Sequence, residues 1–291
     1  ISDKGMKLRK SLRAGGMGGV VMGAMRYLKP PKPKTLQFCK DLVAGRRGLE
    51  IGGPSQGFSR RGFIPIYSLV AGLDNCNFSS KTVWEGTLAE GLNFQYDPNH
   101  SPGRQYIAEG TDLRMIPSNS YDFVLSCHSI EHTANPIRAL KEWSRLLKED
   151  GGLVLVVPHK EGTFDHRRPT TTLQHLIEDF QKNTGEDDMT HLDEILKYHD
   201  IDRDWGSVDM EAFKKQCLQN PQNRCMHQHA FNTPLVAEMV DYAGYKILSV
   251  EALKPFHCLV TAKKSTAKIS NESFLSRTAS WRRESPFEID R

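Results

Sequence analysis

The sequence predicts a doubly wound α/β fold built on a mostly parallel sheet, and three observations carry that prediction. An apolar strand ending in an acid runs directly into a glycine-rich turn over residues 48–58, GLEIGGPSQGF. Two short apolar runs of buried type follow, YDFVLS at 121–126 and GLVLVVP at 152–158; unbroken runs of this kind suit parallel strands covered on both faces. Between them residues 136–148, PIRALKEWSRLLK, place Ile137, Leu140, Trp143, Leu146 and Leu147 at helical spacing with charges opposite. A strand, a helix and a second strand in this order imply a right-handed crossover.

The other elements fall into place around that unit. Lys29-Pro-Pro-Lys-Pro-Lys34 reads as an extended hinge that separates a basic extension, residues 1–34, from a first helix at 35–42. Leu49 and Ile51 suit a buried strand, and Gly52 and Gly53 lack the Cβ that would hold a backbone away from a ligand. Residues 172–181 form a helix with Leu173, Leu176, Ile177 and Phe180 on its apolar side and Thr171 as its cap. A helix starting near Thr233 stops at Gly244, and two strands at 246–253 and 256–263 flank a turn at Pro255. The core domain is therefore expected over residues 35–264, with a lid-like insertion at about 160–230 and a polar surface tail at 265–291.

With 38% hydrophobic residues, a chain of 291 residues can bury a substantial core. No apolar run approaches the roughly 20 residues of a membrane helix, so no membrane span is expected. Six cysteines are scattered without paired spacing, which argues against a disulfide framework or a zinc ribbon and for a reducing, cytoplasmic compartment. Charge is unevenly spread: twelve Lys and Arg over residues 1–47 face only Asp3 and Asp41. That extension reads as a mobile or packed arm, with organelle targeting as the alternative. Nucleic acid is a disfavoured partner, because only Tyr27 and Phe38 are interleaved with the basic residues.

GLEIGGPSQG, EGTDLRMIPSNSYDFVLSCHSIEHTANP and ALKEWSRLLKEDGGLVLVVP together resemble a class I S-adenosylmethionine-dependent methyltransferase of the small-molecule, Rossmann-like type. The resemblance is close over residues 49–158 and looser to about 264, and it adds an antiparallel pair at the sheet edge. It implies S-adenosylmethionine as cofactor, with Glu50, Gly52, Gly53 and Ser55 holding its amino acid end and Asp74 receiving the ribose hydroxyls. Asp112, with Glu109 as rival, and the backbone of Leu113 would read the adenine, and Ser126, Cys127 and His128 would close the site. The turn lacks the Lys-Ser/Thr ending of a phosphate loop, in keeping with a cofactor that has no pyrophosphate. No NPPY-like signature of base or amide methylation follows residue 126; SCHSIEH stands there.

Acceptor chemistry is expected after the last parallel strand, because loops at carboxyl ends of strands form the crevice in such sheets. His159, Arg167 and Arg168 are the candidates for substrate binding, with Asp165 beside them. His166, His227 and His229 are the candidates for the base, since an oxygen nucleophile must lose a proton and histidine titrates near neutrality. Three alternatives remain open at this point. Arg167 and Arg168 could form ion pairs within their loop, His175 and Asp179 could make a structural pair one helical turn apart, and the His227-Gln-His229 step could line a metal-free pocket, pack, or bind a divalent metal with Asp165, His166 or His191. The expected function is O-methylation of a small polar acceptor, a sugar or an acidic metabolite, with a divalent metal not favoured. N- or S-methylation, or a non-catalytic cofactor-binding or RNA-associated module, is the alternative. The oligomeric state stays open.

Overall fold

The computed structural model describes residues 32–82, 84–204, 206–267 and 270–291. The basic extension up to residue 31 lies outside the described residues. Helix α1 (Leu36–Val43) packs Leu36, Cys39, Leu42 and Val43 inward. Strands β1 (Arg47–Ile51) and β2 (Gly72–Asn77) follow, then a small hairpin of β3 (Lys81–Thr82) and β4 (Gly86–Thr87). β5 (Gly91–Phe94), β6 (Gly103–Ile107), β7 (Tyr121–Cys127), β8 (Leu147–Pro158), β9 (Tyr245–Leu253) and β10 (His257–Lys264) complete a sheet of eight strands in the order β5-β6-β2-β1-β7-β8-β10-β9.

The five central strands are parallel, as predicted. β10 and β9 form the antiparallel edge, and β5 adds a second antiparallel edge beside β6. Because β1 leads to β2 on one side and β6 crosses to β7 on the other, the order reverses between β1 and β7. A crevice opens at the carboxyl ends of strands at such a switch point.

Helix α2 (Pro136–Leu146) makes the β7-to-β8 crossover; Pro136 opens it and the Asn135 side chain accepts a hydrogen bond from Arg138 N. Its Trp143 is almost fully buried in the main core, where truncation to alanine would cost about 3–5 kcal/mol. The β1-to-β2 connection departs from a regular doubly wound fold, with two short 3₁₀ turns at 56–58 and 67–69 in place of a helix. Phe58, Ile64, Ile66 and Tyr67 are fully buried there and cover the second face of the sheet together with α1. Pro65 and the clustered glycines and serines of this stretch do not sustain a helical repeat.

The insertion contains α3 (Leu173–Lys182), α4 (Leu192–Tyr198), α5 (Met210–Cys217) and α6 (Asn220–Asn223), with a small core of Ile195, Phe213, Cys217 and Met226. Its first helix is capped by Thr172, whose hydroxyl accepts from His175 N, and not by Thr171, whose hydroxyl accepts from Ala230 N. α7 (Thr233–Tyr242) then returns the chain to the sheet.

The carboxyl-terminal segment is not a polar tail laid over the surface. α8 (Glu272–Leu275) and α9 (Ser280–Glu284) place Ala279 and Trp281 in the main core, and the Asn271 side chain bonds Ile247 N, Tyr245 O and Asp241. Two apolar anchors among many charges suffice, a pattern too sparse to show as periodicity. All six cysteines are free thiols. Among the described residues no helix is long and apolar enough to cross a membrane.

Candidate active site

The floor of the crevice is the turn after β1. Gly52 holds φ +80°, where side chains are strained, and a Cβ there would stand 2.7 Å from Ser129 Oγ. A Cβ on Gly53 would stand 2.3 Å from Glu50 Cδ. Glu50 is completely buried beneath the turn and accepts hydrogen bonds from Tyr67 Oη at 2.7 Å and from Ser55 N at 3.1 Å. Burial pushes its carboxyl up to about 7, against the pull of those hydrogen bonds. Three side-chain amides secure the other flank: Asn75 Oδ1 accepts from Gly53 N at 2.9 Å, Asn75 Nδ2 donates to Gly53 O at 3.1 Å, and Asn77 and Gln105 complete the cluster.

The candidate cofactor residues do not all gather at this turn. Ser55 lies in it, its hydroxyl beside the Glu50 carboxyl, and Ser126 lies at the end of β7, where its buried hydroxyl makes no hydrogen bond among the described residues. His128, with φ 54°, turns the chain out of β7, and its Nε2 lies 2.9 Å from His257 Nδ1. Asp74 sits elsewhere. It is paired in register with Leu49 in mid-strand, and its carboxylate accepts from the Arg47 guanidinium, Arg104 N and Tyr121 Oη, all at the amino-terminal ends of their strands. It is an internal ion-pair anchor, and β2 presents Asn77 at its carboxyl end.

Asp112 reaches the crevice side of the sheet with its carboxylate on Arg114, an exposed pair of the kind that yields readily. The amide of Leu113 donates to Glu142 Oε1 at 2.8 Å, so that backbone donor is occupied. Glu109, the rival acid, is held by the guanidinium of Arg224 from the insertion, which also bonds Glu186 O and lies over the ring of Phe78, 5.3 Å from its centroid. Nothing in the order of residues signalled this clamp, because 115 positions separate its partners.

On the acceptor side the structure separates the candidates into different clusters. His227 Nδ1 lies 2.5 Å from Asp165 Oδ2. Asp165 is fixed in turn by Arg168, which is 1% exposed, donates to Asp165 Oδ1 at 3.0 Å and to Glu194, and caps the carbonyls of His227 and Gln228. Arg168 is thus a strut and not a substrate ligand. Arg167 and His166 both turn to Asp200, at 3.2 and 2.8 Å. His159 is fully buried, with Nε2 on Asp290, Nδ1 accepting from Glu161 N and its ring stacked on Phe287, so neither ring nitrogen faces a substrate. His229 points into a separate group with His175 and His191.

What surrounds His227 is the 3₁₀ turn 130–132, which also abuts the glycine turn through Ser129. Gln228 N donates to Glu131 O at 2.8 Å, and the rings of His132 and Phe164 lie 4.9 and 4.6 Å from that of His227. Trp84, half exposed on the β3–β4 hairpin, stands 4.9 Å from His132 and forms the outer lip. One Glu131 oxygen is buried without a partner, and burial pushes this carboxyl up to about 7.

These histidines differ in basicity. Burial drives His128 well below the ordinary value and His132 down to about 3, and both stay neutral at pH 7. Burial also pulls on His227, but the charge and hydrogen bond of Asp165 outweigh it and its pKa is raised. The reciprocal effect holds Asp165 at about 2. Among the described residues no hydrogen bond reaches His227 Nε2. With its Nδ1–H given to a carboxylate, that nitrogen is an oriented proton acceptor.

Residues 68–155 match the sequence profile described as a methyltransferase domain; the match begins after the glycine turn and runs from the end of the β1–β2 connection into β8. No curated protein matches the chain. Among solved structures it is similar to a SAM dependent methyltransferase from Aquifex aeolicus, with 13% identity, 81% of this chain and 91% of that chain covered and a TM-score of 0.42. It is similar also to an S-adenosylmethionine dependent methyltransferase from Mesorhizobium loti, with 16% identity, 79% and 95% coverage and a TM-score of 0.45. A SAM-dependent methyltransferase from Methanosarcina mazei shares 14% identity over 79% of this chain and 98% of that chain, with a TM-score of 0.43.

Proposed function

From the premise that the chain is a class I S-adenosylmethionine-dependent methyltransferase, we propose that it methylates a hydroxyl oxygen of a small, uncharged polar acceptor, with His227 as general base. The observation that carries this reading is the His227–Asp165 pair, 2.5 Å apart, set against the turn that follows β7. S-adenosylmethionine supplies an electrophilic methyl group on a cationic sulfonium. The residues after β1 and β7 fit that group. Gly52 and Gly53 keep the turn free of side chains, the Ser126 hydroxyl makes no hydrogen bond among the described residues, and Asp112 and the Arg224-bound Glu109 stand after the end of β6.

As the acceptor oxygen bonds to the methyl carbon and the carbon–sulfur bond breaks, with S-adenosylhomocysteine leaving, His227 Nε2 would take the hydroxyl proton and Asp165 would stabilise the resulting imidazolium. Arg168 keeps Asp165 ionised and in place from behind. Glu131 binds a second acceptor hydroxyl through its unpartnered oxygen, and Trp84 and Phe164 provide apolar walls of the kind that pack on sugar rings. A neutral acceptor is favoured over an acidic metabolite because Arg167 and Arg168 are both spent on internal carboxylates. A panel of sugars and phenols incubated with the purified chain and labelled cofactor tests the reading. Methyl transfer to oxygen that falls about a hundredfold or more in His227→Ala, with cofactor binding retained, is the expected result. Transfer that stays within a few fold of the parent in that variant would remove His227 from the reaction.

A further inference from the structure

The second histidine cluster of the insertion is built differently from the first. His175 and Asp179 lie one turn apart on α3, His191 stands at the start of α4, and His229 comes from the irregular segment that leads into α7. One ligand-type atom from each of the four lies within 4.8 Å of all the others. His175 Nε2 is 3.0 Å from His191 Nε2 and 3.3 Å from Asp179 Oδ2, and His229 Nε2 is 3.8 Å from Asp179 Oδ2. The three imidazoles meet edge to face, at interplanar angles of 65–79°.

Hydrogen bonding alone does not satisfy this arrangement. His175 Nε2 carries either one proton or one lone pair, so it can serve His191 or Asp179 but not both. Among the described residues Asp179 Oδ2, for all its nearness to His175, and His229 Nδ1 are buried and make no hydrogen bond, in residues only 8% and 1% exposed. A tetrahedral ion about 2.0–2.1 Å from each ligand would set the ligand atoms about 3.3 Å apart, close to the 3.0 and 3.3 Å that His175 Nε2 keeps to His191 and Asp179, with all four residues inside 4.8 Å. The outer partners that orient metal ligands are also present: Thr184 Oγ1 donates to Asp179 Oδ1 at 3.1 Å, and His229 Nε2 gives its proton to the Ala134 carbonyl at 3.2 Å, which leaves the lone pair on Nδ1, the nitrogen without a hydrogen bond, as the atom for the ion.

We infer that His175, Asp179, His191 and His229 form a four-coordinate site for a divalent transition metal of the zinc class, which clamps α3, the start of α4 and the segment carrying His227 to one another. Three nitrogens and one carboxylate oxygen suit zinc, and cobalt as its spectroscopic substitute, and exclude magnesium and calcium, which take oxygen ligands. The four groups close the coordination sphere, so the ion is structural and leaves no position for the acceptor.

Metal content decides the matter without any assay of activity, so its outcome is separate from that of the methylation reading. The full chain, supplemented with zinc and freed of loose metal by gel filtration, should retain one zinc ion per molecule by mass spectrometry. The cobalt form should show the visible bands of a tetrahedral site without a thiolate charge-transfer band. Asp179→Asn and His191→Ala should each lose the ion, whereas His227→Ala should keep it. No retained metal, an octahedral or thiolate-bearing cobalt spectrum, retention in both cluster variants, or loss in His227→Ala would each overturn the inference. The cobalt spectrum of the unsubstituted chain keeps the test valid where a variant does not fold.

Discussion

The carboxylate of Asp290, in the last turn of the chain, lies 3.1 Å from Nε2 of His159, at the end of the last parallel strand and 131 positions earlier. Both groups are fully buried, and Asp290 also accepts from Thr233 N and Ser285 Oγ. The carboxyl terminus therefore braces the loop from which Asp165 and Arg168 arise.

Removing that carboxylate strips the hydrogen-bond partner from His159 Nε2, Thr233 N and Ser285 Oγ in the interior. Asp290→Ala is expected to cost about 3–5 kcal/mol of stability, read as a fall in unfolding midpoint in urea. Burial raises the carboxyl pKa, but the hydrogen bond and charge of His159 outweigh it and the folded value is lowered. A lowered carboxyl contributes stability above its unfolded pKa and loses it as pH falls through the folded value. The difference between parent and variant should thus be full at pH 7 and shrink in acid.

Asp165→Asn removes the group that raises the His227 pKa. As a base His227 works only when neutral, so parent turnover should rise with pH through a limb above the ordinary histidine value. In Asp165→Asn the limb should move to lower pH while maximal turnover falls about a hundredfold or more. Burial pushes the Glu131 carboxyl up to about 7, and a limb that stays in place in Asp165→Asn but vanishes in Glu131→Gln would reassign it.

Alanine at Gly53 must share space with the buried Glu50 carboxyl, 2.3 Å away. Gly53→Ala is expected to weaken binding of S-adenosylhomocysteine at least tenfold by calorimetry, with the fold retained by circular dichroism.

Asp74 and Arg224 should behave in opposite ways. Asp74→Ala strips partners from Arg47, Arg104 N and Tyr121 and is expected to cost about 2–4 kcal/mol, with cofactor affinity within a few fold of the parent. Arg224→Ala releases Glu109 at the cofactor end of the insertion; dissociation of S-adenosylhomocysteine by stopped flow should quicken severalfold.

Local pattern was enough for the parts of this protein whose physics is local. The alternation of apolar runs and an amphipathic helix specified β1, β7, α2 and β8, and the Gly52-Gly53 turn followed from the missing Cβ atoms. The return through α7, β9 and β10 was equally legible, since its helical and strand periods are uninterrupted. Asp74 shows where such reasoning stops. Its distance beyond the glycines suited a ribose ligand, but which end of a strand a carboxylate serves depends on the neighbours in register, here Arg47, Arg104 and Tyr121.

The acceptor side was readable only as a list of residue types. Sequence analysis singled out Asp165, His166, Arg167, Arg168, His175, Asp179, His191, His227 and His229, and in the fold they divide into three unrelated groups: the buried His227–Asp165 pair with its arginine strut, a surface pair on Asp200, and a histidine cluster with Asp179. His227 and His229, two positions apart, end in different groups because their segment packs between α3 and the turn after β7 and turns one ring to each side. The sequence by itself determined the strands β1, β7, β8, β9 and β10, the crossover helix and the glycine turn, because those rest on backbone freedom and hydrophobic period. Tertiary structure alone decided which polar groups meet, because a contact between residues 62 or 131 positions apart is set by how elements pack and leaves no periodic trace along the chain.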